Sequence, residues 1–391
     1  MRVYLDHNAT TKLRPEVRAA WLAALDELGG NPSSLHTSGR RARHMLDQAR
    51  ERTAAALKVG EDEIVFTSGG TESNNLALLG SLRALGVGAG LVTTAIEHSS
   101  VLAPARQLER EGHALMVAPV DSRGLLDMNV LLEMARKPNC RLVSAMTANN
   151  EIGSCAPLGE IGAALAALPH RPRLHTDAVQ ALGRLALDLR AWNVDLASFS
   201  AHKLGGPVGV GVLFRRAGVA LAPLMFGGEQ EQGLRPGTEN VAAVVAASVA
   251  IELACREQQR FAEHARRLAR VLWEEVESSL SDVKLLGPPL DSALRLPGTL
   301  NIVVQESDGK VLVTRLDLEG LEVSAGSACA SGSLEASHVL LALGLSEREA
   351  RAGLRITIGR DTTLNDVRQA VDILRRTSAS MRATRAHDTS L

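Results

Sequence analysis

Residues 194–207 read Val194-Asp195-Leu196-Ala197-Ser198-Phe199-Ser200-Ala201-His202-Lys203-Leu204-Gly205-Gly206-Pro207. An apolar strand pattern runs into a segment of small and polar residues that presents one lysine. A lysine at a strand end, flanked by a hydroxyl, an imidazole and glycines, suits a Schiff base to an aldehyde cofactor. Such an amine must sit in a shaped site, with its pKa lowered, to be a nucleophile near neutral pH. Upstream, Arg173-Leu174-His175-Thr176 is a second short strand pattern that ends at Asp177-Ala178-Val179-Gln180. An acid placed there pairs with a pyridinium nitrogen, as pyridoxal phosphate (PLP) requires. A solitary lysine is ordinarily a solvated surface charge, and it is the company of Asp177 that sets Lys203 apart.

Other strand patterns also run into polar turns. Glu63-Ile64-Val65-Phe66 leads into Thr67-Ser68-Gly69-Gly70-Thr71, followed by a helical run over residues 76–85. Strand, glycine turn and helix N-terminus make an anion-binding arrangement, which assigns Gly70 and Thr71 to a cofactor phosphate; the plainer alternative makes Thr71 a helix cap. Leu91-Val92-Thr93-Thr94 leads to Glu97-His98, where the imidazole either caps a helix or stacks on a pyridine ring and relays protons. Arg141-Leu142-Val143-Ser144-Ala145-Met146 ends near Asn149-Asn150-Glu151, and a further strand covers 209–214. Strands alternate with helices from 63 to 214, the pattern of a parallel sheet wrapped by helices. Such sheets bind ligands just beyond their strand ends, where these polar groups fall.

Residues 241–280 contain no glycine or proline and read as one long helix or two abutting ones. Leu354-Arg355-Ile356-Thr357-Ile358-Gly359 is a strand with one arginine, whose fork suits a carboxylate, the alternative being an edge-strand salt bridge. Between these lies Ser324-Ala325-Gly326-Ser327-Ala328-Cys329-Ala330-Ser331-Gly332-Ser333. Small residues around one thiol fit an exposed cysteine that is reactive if its thiolate is stabilised, and on chemistry alone a structural cysteine equally well. Cys140, Cys155 and Cys255 read as structural. The four cysteines are scattered, so neither a disulfide framework nor a metal site is expected, and a reducing cytoplasm is the default. A net charge of −1 gives no reason to expect nucleic acid or a membrane surface as partner. No apolar run reaches membrane-spanning length. Aromatics are only 2% of the chain, so the core must be built from Leu, Val, Ala and Ile.

Asp177-Ala178-Val179-Gln180, Ser200-Ala201-His202-Lys203 and the Gly-Ser-Ala-Cys-x-Ser-Gly around Cys329, before Ser337-His338-Val339-Leu340, together resemble the PLP-dependent cysteine desulfurases of the NifS/IscS type. The resemblance spans residues 3 to 365. It implies an α/β chain of the aspartate aminotransferase-like type (fold type I). A large α/β domain with a mainly parallel sheet would cover 15–258. A smaller α+β domain would comprise 1–14 and 259–378, and 379–391 would be a flexible tail. It also implies the reaction, L-cysteine to L-alanine with the sulfur carried as a persulfide on Cys329. Lys203 would hold PLP, Asp177 would meet the ring nitrogen, and His98 would stack on the ring. Asn150 would contact the ring hydroxyl and the substrate. Gly70, Thr71, Gln180, Ser200 and His202 would position ring and phosphate, and Arg355 would hold the substrate carboxylate. Thr238 would reach the partner's cofactor phosphate in a homodimer, and a sulfur-acceptor protein such as an iron–sulfur scaffold would be the partner. His7, Val208 and Pro236 depart from the family pattern. A selenocysteine lyase or other β-eliminating PLP enzyme, and a non-catalytic dimeric sulfur-transfer scaffold, are the alternative readings.

Overall fold

The computed structural model describes residues 2–305, 308–325 and 336–388. The chain enters through β1 (Val3–Tyr4), a polar loop, and α1 (Pro15–Glu27) with proline in its first turn, where the missing N–H costs nothing. After α2 (Thr37–Leu57), strands and helices alternate: β2 (Ile64–Thr67), α3 (Gly70–Leu85), β3 (Gly90–Thr94), α4 (Ser99–Arg110), β4 (Leu115–Ala118), α5 (Met128–Ala135), β5 (Cys140–Ser144), α6 (Leu158–Ala166), β6 (Arg173–Asp177), β7 (Leu196–Ser200) and β8 (Gly211–Arg215). Two abutting helices, α7 (Val241–Arg256) and α8 (Gln258–Ser279), lead to β9 (Val283–Leu286) and β10 (Thr299–Val304). The chain finishes with α9 (Gly309–Leu318), β11 (Leu321–Glu322), β12 (Ser324–Ala325), α10 (His338–Ala342), α11 (Glu347–Arg351), β13 (Gly353–Thr357) and α12 (Leu364–Asp388).

Seven strands form the large sheet in the order β2-β8-β7-β6-β5-β3-β4. β8 alone runs antiparallel, to both β7 and β2; all other pairs are parallel. The strands are short apolar runs buried on both faces, as a helix-covered parallel sheet requires. From β3 the chain moves outward to β4, then returns to β5 and proceeds the other way. That reversal opens a crevice at the carboxyl ends of the strands. A second, antiparallel sheet has the order β12-β13-β10-β9, packed on α8 and α12 around Leu268, Leu272, Ile302, Leu316, Ile356 and Leu374. β1 pairs with β11, so the N-terminus joins the chain's last third.

Two details differ from the sequence reading. The last helix continues through Asp388, and Thr377, Ser378 and Met381 are buried. The small polar residues of this stretch keep helical spacing for Met381, which joins the second core, so the helix passes well beyond residue 379, where a tail was expected. The helix after β2 begins at Gly70, six residues earlier than its apolar run suggested, with Gly69 as its cap in place of Thr71. Its first turn is polar because it faces the crevice.

The departures His7 and Pro236 are accounted for by packing. The His7 ring lies on Gly359, where a Cβ would sit 2.1 Å from the imidazole, and meets Tyr4 edge-on at 4.8 Å. Burial pushes its pKa down to about 4. Pro236 packs on Gly227, whose own Cβ would lie 2.9 Å away.

The loop between β8 and α7 is pinned by Glu231. Its carboxylate accepts from Arg50 Nη1 and Nη2 at 3.1 and 2.5 Å and from the Phe66 N–H at 2.8 Å. Both side chains are largely buried. Glu231→Ala leaves a buried guanidinium and a strand N–H without their acceptor, and should cost about 3 kcal/mol of unfolding free energy. Urea unfolding of the variant against wild type measures this. An unchanged midpoint would remove Glu231 as the anchor of the loop.

Candidate active site

A cavity of about 280 Å³ lies at the crevice. Its wall brings together Gly70, Thr71, His98, Asn150, Asp177, Gln180, Ser200, His202, Lys203 and Arg355, residues spread over most of the chain. Thr238 is exposed in the loop before α7 and is not on this wall. Cys329 lies outside the described residues. Asn8, Asn74 and Ser100 also line the cavity. Sequence reading missed these three because asparagine and serine in a loop or an early helical turn look like ordinary capping residues.

Lys203 closes a 3₁₀ turn, Ala201–Lys203, that follows β7 directly. The turn is stapled by the N-terminal loop. Thr11 donates through its N–H and Oγ1 to the His202 carbonyl at 3.1 and 2.7 Å, and the Gly205 N–H donates to Thr11 Oγ1 at 2.7 Å. Lys203 Nζ donates to the carbonyls of Asn8 and Ala9 at 2.7 and 2.6 Å. The His202 ring meets Thr10 Oγ1 at 3.0 Å through Nδ1, and burial, with the Lys203 charge beside it, pushes its pKa down to about 4.

Asp177 ends β6 and is held at both oxygens. Oδ1 accepts from the Val179 N–H at 3.0 Å and Oδ2 from Asn74 Nδ2 at 2.7 Å. The same Asn74 nitrogen donates to Ser100 Oγ at 2.8 Å. Ser100 Oγ lies 2.7 Å from Nδ1 of His98, which caps α4 and also accepts from the Ser100 N–H at 3.1 Å. Arg355 is on β13, a central strand, and is 1% exposed. Its Nη2 donates to Asp6 Oδ1 at 2.8 Å and Nη1 to the Asn150 carbonyl at 3.3 Å. The salt bridge considered from the sequence exists, and it orients the fork without exhausting it: Nε is buried with no partner.

This wall fits PLP. Gly70 opens α3, where a Cβ would lie 2.8 Å from Val179 Cγ2, so only a bare backbone fits at this helix N-terminus, whose first N–H groups have no intrahelical partner. Gln180 Oε1 is buried without a partner while its Nε2 donates to the Asn8 carbonyl at 3.0 Å. An acid, a lysine and a helix terminus, groups able to take a ring nitrogen, an aldehyde and a phosphate, all line one cavity.

The aminotransferase class-V family matches residues 3–370. The chain belongs to that family. A cysteine desulfurase IscS of Dictyoglomus turgidum is 43% identical, with 97% of this chain and 95% of that protein aligned. One from Clostridium botulinum is 40% identical over 95% and 93%. Among solved structures, a NifS-like protein superimposes with a TM-score of 0.88 at 35% identity, covering 96% of this chain and 99% of that one. SspA, solved in complex with cysteine, gives 0.77 at 32%, covering 91% and 98%. This class-V chain is a PLP-dependent enzyme of fold type I.

Two buried acids back the site of this class-V enzyme. Glu97 Oε1 accepts from Thr94 Oγ1 at 2.8 Å and the Met146 N–H at 2.7 Å, and burial pushes its pKa up to about 8. Glu151 accepts from Ser337 Oγ at 2.5 Å, and burial pushes it up to about 7. A carboxyl whose pKa is raised on folding binds its proton more tightly in the native state, so stability falls as pH rises from the unfolded value of 4.5 through about 8. Glu97→Gln keeps the acceptor and removes the titration. The variant should lose less stability than wild type between pH 5.5 and 8.5, as urea midpoints at the two pH values would show; parallel losses would mean that Glu97 is ionised in the folded protein.

Proposed function

We propose that the chain is a cysteine desulfurase, converting L-cysteine to L-alanine and passing the sulfur through Cys329 to an acceptor protein such as an iron–sulfur scaffold. The observation that carries this reading is the convergence of Lys203, His98, Asp177 and the buried Arg355 on one cavity. When bound, PLP supplies an electron sink that labilises bonds at the substrate's α- and β-carbons. Lys203 would hold its aldehyde, Asp177 its ring nitrogen and Asn150 its ring hydroxyl, and Gly70, Thr71, Gln180, Ser200 and His202 would position ring and phosphate.

The chain's own groups then act on substrate. The Arg355 guanidinium, aimed by Asp6, binds the α-carboxylate and fixes which substituents face Lys203. Lys203 Nζ would take and return a proton at the substrate carbons, and the His98 imidazole would handle a second proton. Cys329, as thiolate, would attack the substrate sulfur and become a persulfide as the Cβ–S bond breaks, its electron pair staying with the carbon skeleton, which is then protonated and leaves as alanine. Asn150 steadies the substrate end of the cavity.

A homodimer completes this reading. Leu35, Val208, Met225 and Phe226 are exposed, Phe226 by 90%, and such apolar side chains suit burial against a second copy. Thr238, exposed and away from its own chain's cavity wall, would serve the partner's phosphate site. Cys140, Cys155 and Cys255 are free thiols, in keeping with work in the reducing cytoplasm. Among the described residues no helix is long and apolar enough to cross a membrane.

Purified protein given L-cysteine and a thiol reductant should release alanine and sulfide in equal amounts. Cys329→Ala should retain bound PLP, seen in the visible spectrum, and lose persulfide formation; sulfur transfer at the wild-type rate would refute that role. Arg355→Gln should raise KM for cysteine about 30-fold, the worth of a charged hydrogen bond. Sulfide with no alanine would point to a different elimination.

A further inference from the structure

Asn74 and Ser100 belong to none of the roles above, yet they join the two groups on which the cofactor ring would depend. Both are buried, Asn74 completely. The bonds from Asn74 to Asp177 and to Ser100 have a fixed direction. The Asn74 amide nitrogen has two hydrogens and no lone pair to give. One goes to Asp177 Oδ2 and the other to Ser100 Oγ. Ser100 Oγ accepts there and keeps a second lone pair, so its 2.7 Å contact with His98 Nδ1 runs in whichever direction the ring tautomer sets. The Ser100 backbone N–H, which can only donate, also aims at Nδ1.

We infer that Asn74 and Ser100 are positioning residues that lock His98 in one tautomer, with the lone pair on Nδ1 and the proton on Nε2. The inference rests on the proposed desulfurase reading for its catalytic meaning, though not for its geometry. Protonating Nδ1 would set its N–H against the Ser100 backbone N–H and turn the hydroxyl from donor to acceptor. The neutral ring therefore offers a hydrogen-bond donor at Nε2, and the base at the substrate carbons is Lys203. The chain ends at Asn74, which has no proton to pass on, so Asp177 orients the amide and is not a proton source for His98.

Other titratable or charged groups face this histidine. Glu97, Glu151 and His338 act on it through space, and Lys203 and Arg355 share the cavity wall. All stay in place when Ser100 is changed, so a comparison of variants isolates the hydroxyl.

The experiment is NMR of the full-length holoenzyme carrying ¹⁵N-labelled histidine, with His98→Gln used to assign the signal, alongside the pH profile of alanine formation. Wild type should show the Nε2–H form near neutral pH. In Ser100→Ala one donor to Nδ1 is gone, and the His98 titration should move up by about one pH unit, the worth of one hydrogen bond. The acid limb of kcat/KM should move with it. Ser100→Thr keeps a hydroxyl and should restore both. A wild-type signal with the proton on Nδ1, an unmoved titration in Ser100→Ala, or a Thr variant that behaves like Ala would each overturn the lock. If the titrations behave as expected but wild type makes no alanine, the lock stands and the desulfurase reading fails.

Discussion

Asn8 is the junction through which the two sheets and the cavity are joined. This residue is 2% exposed, and nearly every polar atom it has is engaged. Its N–H donates to Thr357 Oγ1 at the end of β13. Its Nδ2 donates to the Asn150 carbonyl at 2.9 Å and to Thr299 Oγ1 at the start of β10. Its Oδ1 accepts from the buried Arg184, and its carbonyl accepts from both Lys203 Nζ and Gln180 Nε2. Buried polar groups are costly unless satisfied. A slip of the N-terminal loop would therefore unpair groups on both sheets and on the cavity wall together.

The same logic explains how charge is distributed around the cavity. Charges that bind are held by partners in fixed directions: Asp177 by Asn74 and the Val179 N–H, Arg355 by Asp6. Burial acts against charge on the groups around them: Glu97 and Glu151 are raised, while His7, His175 and His202 are lowered. The cavity wall itself carries one acid, Asp177, and two cations, Lys203 and Arg355, the charge types that a pyridinium and a carboxylate-bearing substrate need.

Much of this was legible beforehand, and the reason is local. A strand that ends in a polar turn declares itself within ten residues, so Gly70, His98, Asn150, Asp177, Ser200 and Lys203 could each be placed at a strand end without knowing the order of the strands. Arg355 was legible as a lone charge in an apolar strand. Asn8, Asn74 and Ser100 were not, because what distinguishes them is a partner far away in the chain: Asn8 bonds to Thr357, and Asn74 to Asp177. The end of α12 was misread because its burial depends on Met381 meeting a core that composition does not reveal.

The sequence by itself determined the alternation of strands and helices, the family, and the chemical types present at each strand end, because these are carried by short-range periodicity and contiguous motifs. Only the tertiary structure decided that β8 runs against its neighbours, that the crevice falls at the reversal between β3 and β5, and that Asn8, Asn74 and Asp6 aim the groups that meet there. Those decisions depend on hydrogen bonds between separate strands and loops, as far apart as Asp6 and Arg355, whose geometry exists only after the sheets have packed.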